Sequence, residues 1–222
     1  MTNSIAIDGP AGAGKSTIAK MVSKKLGFIY VDTGAMYRAM ALYLLREKVD
    51  PSDAAAISSK CRNADITIKH ENGEQVVYLN GENVNGFIRT EEVGNMASSS
   101  SVNSDVRKKL VELQQKLAAE TDVVMDGRDI GTVVLPDSKC KVYLTASSKV
   151  RADRRYKELI AKGQQCDLEK IEQDIIERDR RDMTRDISPL KKADDATEVD
   201  SSYMTIEEVA DKIISLYESS KN

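Results

Sequence analysis

Residues 9–16 constrain this chain more than any other segment, because they match the pattern G-x-x-x-x-G-K-[ST]. An apolar run at residues 5–7 precedes the segment, and a helical pattern of apolar residues at 18–26 follows it. This order of strand, glycine-rich loop and helix gathers free backbone N–H groups and the positive end of a helix dipole. We therefore predict a loop that binds the phosphates of a nucleoside triphosphate, made of Gly9, Pro10, Ala11, Gly12, Ala13, Gly14, Lys15, Ser16 and Thr17.

Two side chains of the predicted loop have defined chemical roles. Lys15 reaches the β- and γ-phosphates of a bound triphosphate, and the Ser16 hydroxyl binds Mg²⁺. A predicted strand ends in Asp126, which we expect to hold the same ion through a water molecule. The motif alone leaves a small-molecule kinase, a GTPase switch and a motor ATPase as alternatives. The sequence has no Asn-Lys-x-Asp guanine motif and no Asp-Glu pair after an apolar strand, so a kinase is favoured.

The remaining pattern predicts an α/β fold. Short, mostly β-branched runs typical of buried strands occur at residues 5–8, 28–32, 123–126, 141–144 and 197–200. Amphipathic helical patterns separate these runs, and a Thr205-x-x-Glu208 capping box opens the last helix. Strands that alternate with helices predict a P-loop NTPase core with a five-stranded parallel sheet flanked by helices.

Residues 50–100 interrupt this alternation. Two alternating segments, 64–69 and 75–79, flank Asn72-Gly73, which is a strong hairpin signal, and Asn80-Gly81 marks another turn. We predict a small antiparallel β unit inserted into one domain that spans residues 1–222. His70, the single histidine, falls in what reads as an exposed turn, so a catalytic histidine is not expected.

Composition narrows the classes of function. The net charge is −3, so an overall basic footprint for nucleic acid is absent. The three cysteines, Cys61, Cys140 and Cys166, have no metal-like spacing and predict no disulfide framework. With no signal peptide and no membrane-length apolar run, we expect a cytoplasmic monomer with no membrane partner.

Seven of the thirteen arginines lie between residues 151 and 185. The apolar stripe formed by Leu168, Ile171 and Ile175 continues at helical spacing into charges at 178, 182 and 185. Charges on an inward face must be paired or must meet a charged ligand, so residues 149–188 are predicted to form a helical lid over phosphates. An internal Arg-Asp-Arg ion network is the alternative. Arg38 and Arg107 each suit an anion site or an ordinary surface position equally well.

Four motifs together resemble bacterial-type cytidylate kinases, which are P-loop nucleoside monophosphate kinases. The match runs from residue 4 to about residue 217, and the motif D-G-R-D-x-G-T-V-V is its most specific part. The motifs occupy residues 7–17, 32–38, 126–134 and 178–185. The resemblance implies transfer of the γ-phosphate of ATP to CMP or dCMP with Mg²⁺, in pyrimidine nucleotide metabolism. It also implies that residues 50–100 form a CMP-binding insert.

The resemblance assigns roles to individual residues. Cytosine contacts would come from Ser98, Arg107 and Asp129. Ribose contacts would come from Arg178 and Asp182. Phosphate contacts would come from Arg38, Arg128 and Arg185, helped by Thr33 and Tyr37. Catalysis would depend on Lys15, Asp126, Arg128 and Arg185. The family often has Ser where this chain has Thr33, which keeps the hydroxyl, and the serine run at 98–101 leaves the register of the serine contact open.

Three other functions are alternatives at this stage. The same core serves kinases for UMP, dTMP or shikimate, which an acceptor panel would separate. A nucleic-acid-stimulated NTPase could use the arginine-rich helices, although the acidic total charge and the lack of interleaved aromatic residues oppose it. A non-catalytic nucleotide sensor is disfavoured by the intact set of Lys15, Ser16 and Asp126.

Overall fold

The computed structural model describes residues 2–71 and 73–221. The strands are β1 Ser4–Asp8, β2 Ile29–Asp32, β3 Ile66–Glu71, β4 Glu74–Leu79, β5 Glu82–Asn83, β6 Val123–Gly127, β7 Cys140–Thr145 and β8 Thr197–Asp200. The helices are α1 Lys15–Leu26, α2 Thr33–Arg46, α3 Ala54–Cys61, α4 Glu91–Ser100, α5 Ser104–Glu120, α6 Ser148–Ala161, α7 Leu168–Thr184 and α8 Ile206–Ser219. A π-helical turn occupies Ile130–Val134.

The main sheet has five parallel strands in the order β2-β6-β1-β7-β8, as predicted. Each predicted strand is present to within about a residue at either end. Ile5 and Ile7 of the central strand have no exposed surface, because helices cover both faces of the sheet. The predicted capping box is also present at the start of α8, where Thr205 and Glu208 exchange hydrogen bonds. Because the five strands are parallel, their carboxyl ends lie at one edge of the sheet, where ligands bind in open α/β sheets.

The predicted antiparallel unit is a second sheet with strand order β3-β4-β5. The turn at Asn80-Gly81 is confirmed, with positive φ angles of 50° and 83°. Of the predicted hairpin turn, Asn72 lies outside the described residues, and Gly73 has φ 80°. The apolar face of the unit packs on α2 and shares one core cluster with it.

The prediction for His70 is wrong. β3 extends through this residue to Glu71, so His70 lies on a strand rather than in an exposed turn. Its Nε2 lies 2.9 Å from the backbone oxygen of Tyr30 on β2. Because a carbonyl oxygen only accepts, Nε2 is the donor in this hydrogen bond.

Helix α7 also differs from the prediction. The stripe at Leu168, Ile171 and Ile175 does not enter the interior, because no residue of α7 is buried and Leu168 is 40% exposed. The helix packs chiefly against α6 and stands away from the sheet. The charged end of the same stripe nevertheless faces a cavity, as described below. Among the described residues, no helix is long and apolar enough to cross a membrane.

Candidate active site

The predicted phosphate loop connects β1 to α1. Gly14 precedes the helix with φ 89°, and no side chain caps the first N–H groups of α1. Those N–H groups are therefore available to an anion at the helix start. Gly9 has a different role, because a Cβ at this position would lie 1.9 Å from the backbone oxygen of Leu144 on β7. Gly9 thus allows close packing of the loop on the sheet and, like Pro10, lines neither of the cavities described below.

Lys15 lies at the centre of the site and is 6% exposed. Its ammonium group donates a hydrogen bond to the backbone oxygen of Pro10 at 2.8 Å. Burial, together with the nearby guanidinium of Arg128, lowers the pKa of Lys15 to about 7. An anionic ligand would offset both effects and favour the charged form.

Asp126 at the end of β6 meets the phosphate loop. One carboxylate oxygen accepts from the Ser16 hydroxyl at 3.0 Å, and the other accepts from the Tyr30 hydroxyl at 2.8 Å. Burial and the neighbouring Asp32 raise the pKa of Asp126, and a cation would relieve this cost. The described residues contain no cluster of three or more carboxylate, histidine or cysteine ligands. One hydroxyl and one carboxylate nevertheless fit Mg²⁺, which takes most of its ligands from water and phosphate.

Asp8 holds the segment that carries Arg128 and Asp129. Its carboxylate accepts from the backbone N–H groups of Ile130 at 2.8 Å and Gly131 at 2.7 Å. Burial raises the pKa of Asp8 to about 6, while these two hydrogen bonds lower it. The contact fixes the start of the π-helical turn and so aims the two preceding side chains into the site.

A cavity of about 290 Å³ lies on one side of Lys15, and we call it the acceptor cavity. All ten predicted substrate-binding residues line it, namely Thr33, Tyr37, Arg38, Ser98, Arg107, Arg128, Asp129, Arg178, Asp182 and Arg185. Its cationic lining residues are Lys15, Arg38, Arg89, Arg107, Arg128, Arg178 and Arg185. Its carboxylates are Asp32, Asp126, Asp129 and Asp182. Cations outnumber carboxylates by three, so the lining favours an anionic ligand.

The most deeply buried polar pair of the acceptor cavity is Arg107 with Asp129, whose side chains are 6% and 8% exposed. The guanidinium donates to Asp129, to the Ser188 hydroxyl at 3.1 Å and to the backbone oxygen of Ser101 at 3.3 Å. It also lies 5.6 Å from the ring centroid of Tyr37. These contacts fix the orientation of both charged groups before any ligand binds.

Other arginines of this cavity differ in whether a carboxylate neutralises them. Arg128 donates through Nε to Asp182 at 2.8 Å. Burial raises the pKa of Asp182, but Arg128 and two further arginines lower it more, so the net shift is downward. By contrast, Arg38, Arg178 and Arg185 form no ion pair with the described carboxylates. Partial desolvation of the guanidinium, together with neighbouring arginines, lowers the pKa of each of these three side chains, which an anionic ligand would reverse.

The structure narrows the serine register that the sequence leaves open. Ser98 and Ser101 line the acceptor cavity, one helical turn apart. Ser100 is fully buried, and its hydroxyl donates to the backbone oxygen of Met96. The candidate hydroxyls for a ligand contact are therefore those of Ser98 and Ser101.

Sequence reasoning missed two arginines. Arg89 lines the acceptor cavity and pairs with Asp32 at 2.6 Å. Arg151 is 5% exposed and donates to the backbone oxygens of Ala11 at 2.8 Å and Ala146 at 2.9 Å. It also pairs with Asp179 of α7 at 2.6 Å, and the other oxygen of Asp179 is buried without a partner among the described atoms. No local pattern separates Arg151 from its neighbours, because its partner Ala11 lies 140 positions away.

A second cavity of about 560 Å³ lies on the other side of the phosphate loop, and we call it the donor cavity. Residues 12–18 of the loop and α1 form one wall, and the start of α8 forms another. The apolar part of its lining comes from Met204, Ile206 and Val209. Arg154 and Arg155 of α6 supply positive charge beside the loop. This combination suits a molecule with an apolar ring and an anionic tail.

The fold and the two cavities define a P-loop NTPase-type α/β protein in which Lys15 lies between two cavities lined by cationic side chains. A shikimate kinase structure from Acinetobacter baumannii shares this fold, with a TM-score of 0.51, 16% identity, and coverage of 100% of this chain and 96% of that one. The family model described as cytidylate kinase matches residues 5–219. The chain belongs to the cytidylate kinase family.

Two curated relatives are similar over nearly the whole chain. A cytidylate kinase from Listeria innocua is 52% identical over 96% of this chain and 95% of its own length. A cytidylate kinase from Lactobacillus johnsonii is 51% identical over 94% of this chain and 91% of its own length. The family resemblance drawn from the four motifs is thereby confirmed.

Proposed function

We propose that this protein transfers the γ-phosphoryl group of ATP to CMP or dCMP and forms CDP or dCDP, in pyrimidine nucleotide metabolism. The observation that carries the proposal is the placement of Lys15 between a donor cavity and an acceptor cavity with an excess of three cations. The relatives named cytidylate kinase support the choice of acceptor.

The donor nucleotide would bind with its phosphates on the loop at residues 9–17 and its base in the donor cavity. Lys15 would move from the Pro10 oxygen to the β- and γ-phosphates, since both contacts lie within reach of one flexible side chain. Ser16 and Asp126 would hold Mg²⁺, Asp126 through water, and the ion would offset charge on the transferring group. Arg154 and Arg155 lie where they would contact the same nucleotide.

Cytosine recognition would use the unused hydrogen-bonding capacity of Arg107 and Asp129. A guanidinium has five N–H donors, and three of those of Arg107 are engaged, which leaves one on each terminal nitrogen. These two would donate to O2 and N3 of the base. The free oxygen of Asp129 would accept from the N4 amine, whereas uracil would present a carbonyl there. Ser98 or Ser101 would complete this part of the site.

The sugar and phosphate of the acceptor would bind towards Lys15. Asp182 has one oxygen engaged by Arg128, which leaves the other for a ribose hydroxyl, with Arg178 beside it. Phosphate oxygens would be bound by Arg38, Arg128 and Arg185, with Thr33 and Tyr37 nearby. Phosphoryl transfer depends on alignment and charge stabilisation rather than covalent catalysis, so Lys15, Arg128 and Arg185 would carry most of the rate enhancement.

Two segments would close over these ligands. Residues 50–100 would act as the CMP-binding insert, and residues 149–188, which include α6 and α7, would act as the lid. The absence of buried residues in α7 suits a segment that changes position when ligands bind. Closure would exclude water and limit hydrolysis of ATP.

An acceptor panel tests the proposal. Purified protein with ATP and Mg²⁺ would be given CMP, dCMP, UMP, dTMP and shikimate, and ADP formation would be measured. We expect CMP and dCMP to give the highest kcat/KM. Preference for another acceptor, or ATP hydrolysis that depends only on added DNA or RNA, would contradict the proposed function.

A further inference from the structure

The edge strand of the main sheet, β2, has backbone N–H and C=O groups that face away from its neighbouring strand. Within residues 2–71 and 73–221, β2 has β6 on one side and no strand on the other. Tyr30 and Asp32 are two residues apart on β2, so their backbone groups face the same side. Both residues are about nine-tenths buried, and buried backbone groups left without partners cost free energy.

Side chains of the inserted sheet supply partners for three of these four backbone groups. Nε2 of His70 donates to the Tyr30 oxygen at 2.9 Å. The side-chain amide of Gln75 bonds twice to Asp32, accepting from its N–H at 2.8 Å and donating to its oxygen at 3.2 Å. One imidazole and one amide thus replace three hydrogen bonds of a neighbouring strand.

The two side chains form a single unit within the hairpin. His70 and Gln75 are directly opposite each other in the β3–β4 register. They follow two apolar cross-strand pairs on the same face, Ile66 with Leu79 and Ile68 with Val77. This face is apolar where it packs on the core and polar where it reaches the backbone of β2. Because cross-strand neighbours lie close together, His70 and Gln75 can bond to Tyr30 and Asp32, which are alternate residues of β2.

Asp32, which forms two of these hydrogen bonds, also supports the acceptor cavity. One carboxylate oxygen of Asp32 accepts from the N–H of Ala35 at 2.9 Å and caps α2. The other pairs with Arg89 at 2.6 Å. Helix α2 then presents Thr33, Tyr37 and Arg38 to the acceptor cavity. A shift of Asp32 would therefore displace the start of α2.

We propose that His70 and Gln75 form a positioning pair that fixes Asp32, and through it the acceptor side of the site. The inference rests on the proposed function, because it assigns the effect to binding of the acceptor nucleotide. Neither side chain lines the acceptor cavity or the donor cavity, so both act through β2 rather than on the ligand.

The test compares Gln75→Met and His70→Leu, which remove the hydrogen bonds, with His70→Gln, which keeps an N–H donor. Thr67→Val is the matched control, because Thr67 is exposed on the opposite face of β3 and its hydroxyl makes no hydrogen bond within the described residues. Circular dichroism checks that each variant is folded. The KM values for CMP and ATP and the amide exchange rate of Asp32 by NMR are then measured.

We expect the KM for CMP to rise about fivefold in Gln75→Met and His70→Leu, while the KM for ATP changes less than about twofold. Asp32 exchange should accelerate in Gln75→Met, and His70→Gln and Thr67→Val should resemble the wild type. Unchanged Asp32 exchange in Gln75→Met would show that the positioning pair does not fix Asp32, and would overturn the proposal. Faster exchange with an unchanged KM for CMP, or an equal rise in both KM values, would overturn the positioning role. Absence of CMP phosphorylation by the wild type would instead refute the proposed function, together with this inference.

Discussion

The donor side and the acceptor side of Lys15 are built in different ways. The donor side is built largely on one consecutive segment, the loop and helix start at residues 12–18, where free backbone N–H groups are available to an anion. The acceptor side is assembled from β2, α2, α4, α5, the end of β6 and α7, which lie far apart in the sequence. Its lining consists mainly of side chains that orient each other, such as Arg107 with Asp129. A site made of backbone has a short sequence motif, whereas a site made of side chains depends on the whole fold.

Lys15→Met gives the largest expected effect and should separate the two sides. We expect kcat to fall about 100-fold to 1,000-fold, the size seen when one charge-stabilising donor is removed. Binding of CMP, measured by calorimetry, should persist because other segments form the acceptor cavity. Lys24→Met, an exposed position on the same helix, is the control. Near-normal turnover in folded Lys15→Met would refute the role of this residue.

Asp129→Asn tests the acceptor side alone. The amide keeps the shape of the carboxylate but offers N–H to the base, which suits the uracil carbonyl better than the cytosine amine. We expect the ratio of kcat/KM for CMP over UMP to fall about 10-fold to 100-fold, with the KM for ATP nearly unchanged. Asp137→Asn, at an exposed position, is the control. An unchanged ratio would place base recognition elsewhere.

Arg151→Lys tests whether Arg151 stabilises the packing of the phosphate loop against α7. Lysine keeps the charge but cannot bond to Ala11, Ala146 and Asp179 at once, because it lacks the planar fork of guanidinium. We expect the free energy of unfolding, measured with urea, to fall by about 2 kcal/mol. Arg155→Lys, whose partner Glu158 lies on the surface, should change it by less than about 0.5 kcal/mol. An equal loss of unfolding free energy in the two variants would contradict this stabilising role of Arg151.

The proton balance of ATP binding gives the smallest expected signal. The pKa of Lys15 is lowered to about 7, so at pH 8 the free protein has largely lost this proton. Bound phosphates should raise the pKa again, so binding at pH 8 takes up a proton and affinity falls as the pH rises above 7. At pH 6 the lysine is mostly charged already, so its contribution to the uptake is small. Calorimetry in two buffers of different ionisation enthalpy measures the uptake, and Lys15→Met subtracts the contribution of ATP itself. Equal uptake by the variant at pH 8 would contradict the assignment.

Much of the fold was predictable because local patterns specify it. The five parallel strands, the hairpin signals and the capping box at Thr205 follow from residue spacing, and all are present. Two local predictions failed because tertiary contacts decided the outcome. His70 looked exposed beside Asn72-Gly73, but the free edge of β2 gives it a partner. The stripe on α7 looked buried, but this helix packs chiefly against α6 and stands away from the sheet.

The candidate site was predictable to different extents on its two sides. The phosphate loop came from its motif, while the positions lining the acceptor cavity came mainly from the family resemblance. Spacing alone could not find Arg89, Arg151 or the pairing of Gln75 with Asp32. The contacts of Arg89 with Asp32, of Arg151 with Ala11 and of Gln75 with Asp32 join residues 57, 140 and 43 positions apart, so no local pattern encodes them.

The proposed function requires one phosphoryl group to pass between two facing nucleotide sites on either side of Lys15. A single molecule in which adenosine and cytidine are joined 5′ to 5′ through five phosphates would occupy both sites at once. We expect it to inhibit competitively against both ATP and CMP and to bind more tightly than either nucleotide alone. Competition with ATP only would show that the acceptor cavity does not hold CMP opposite the phosphate loop.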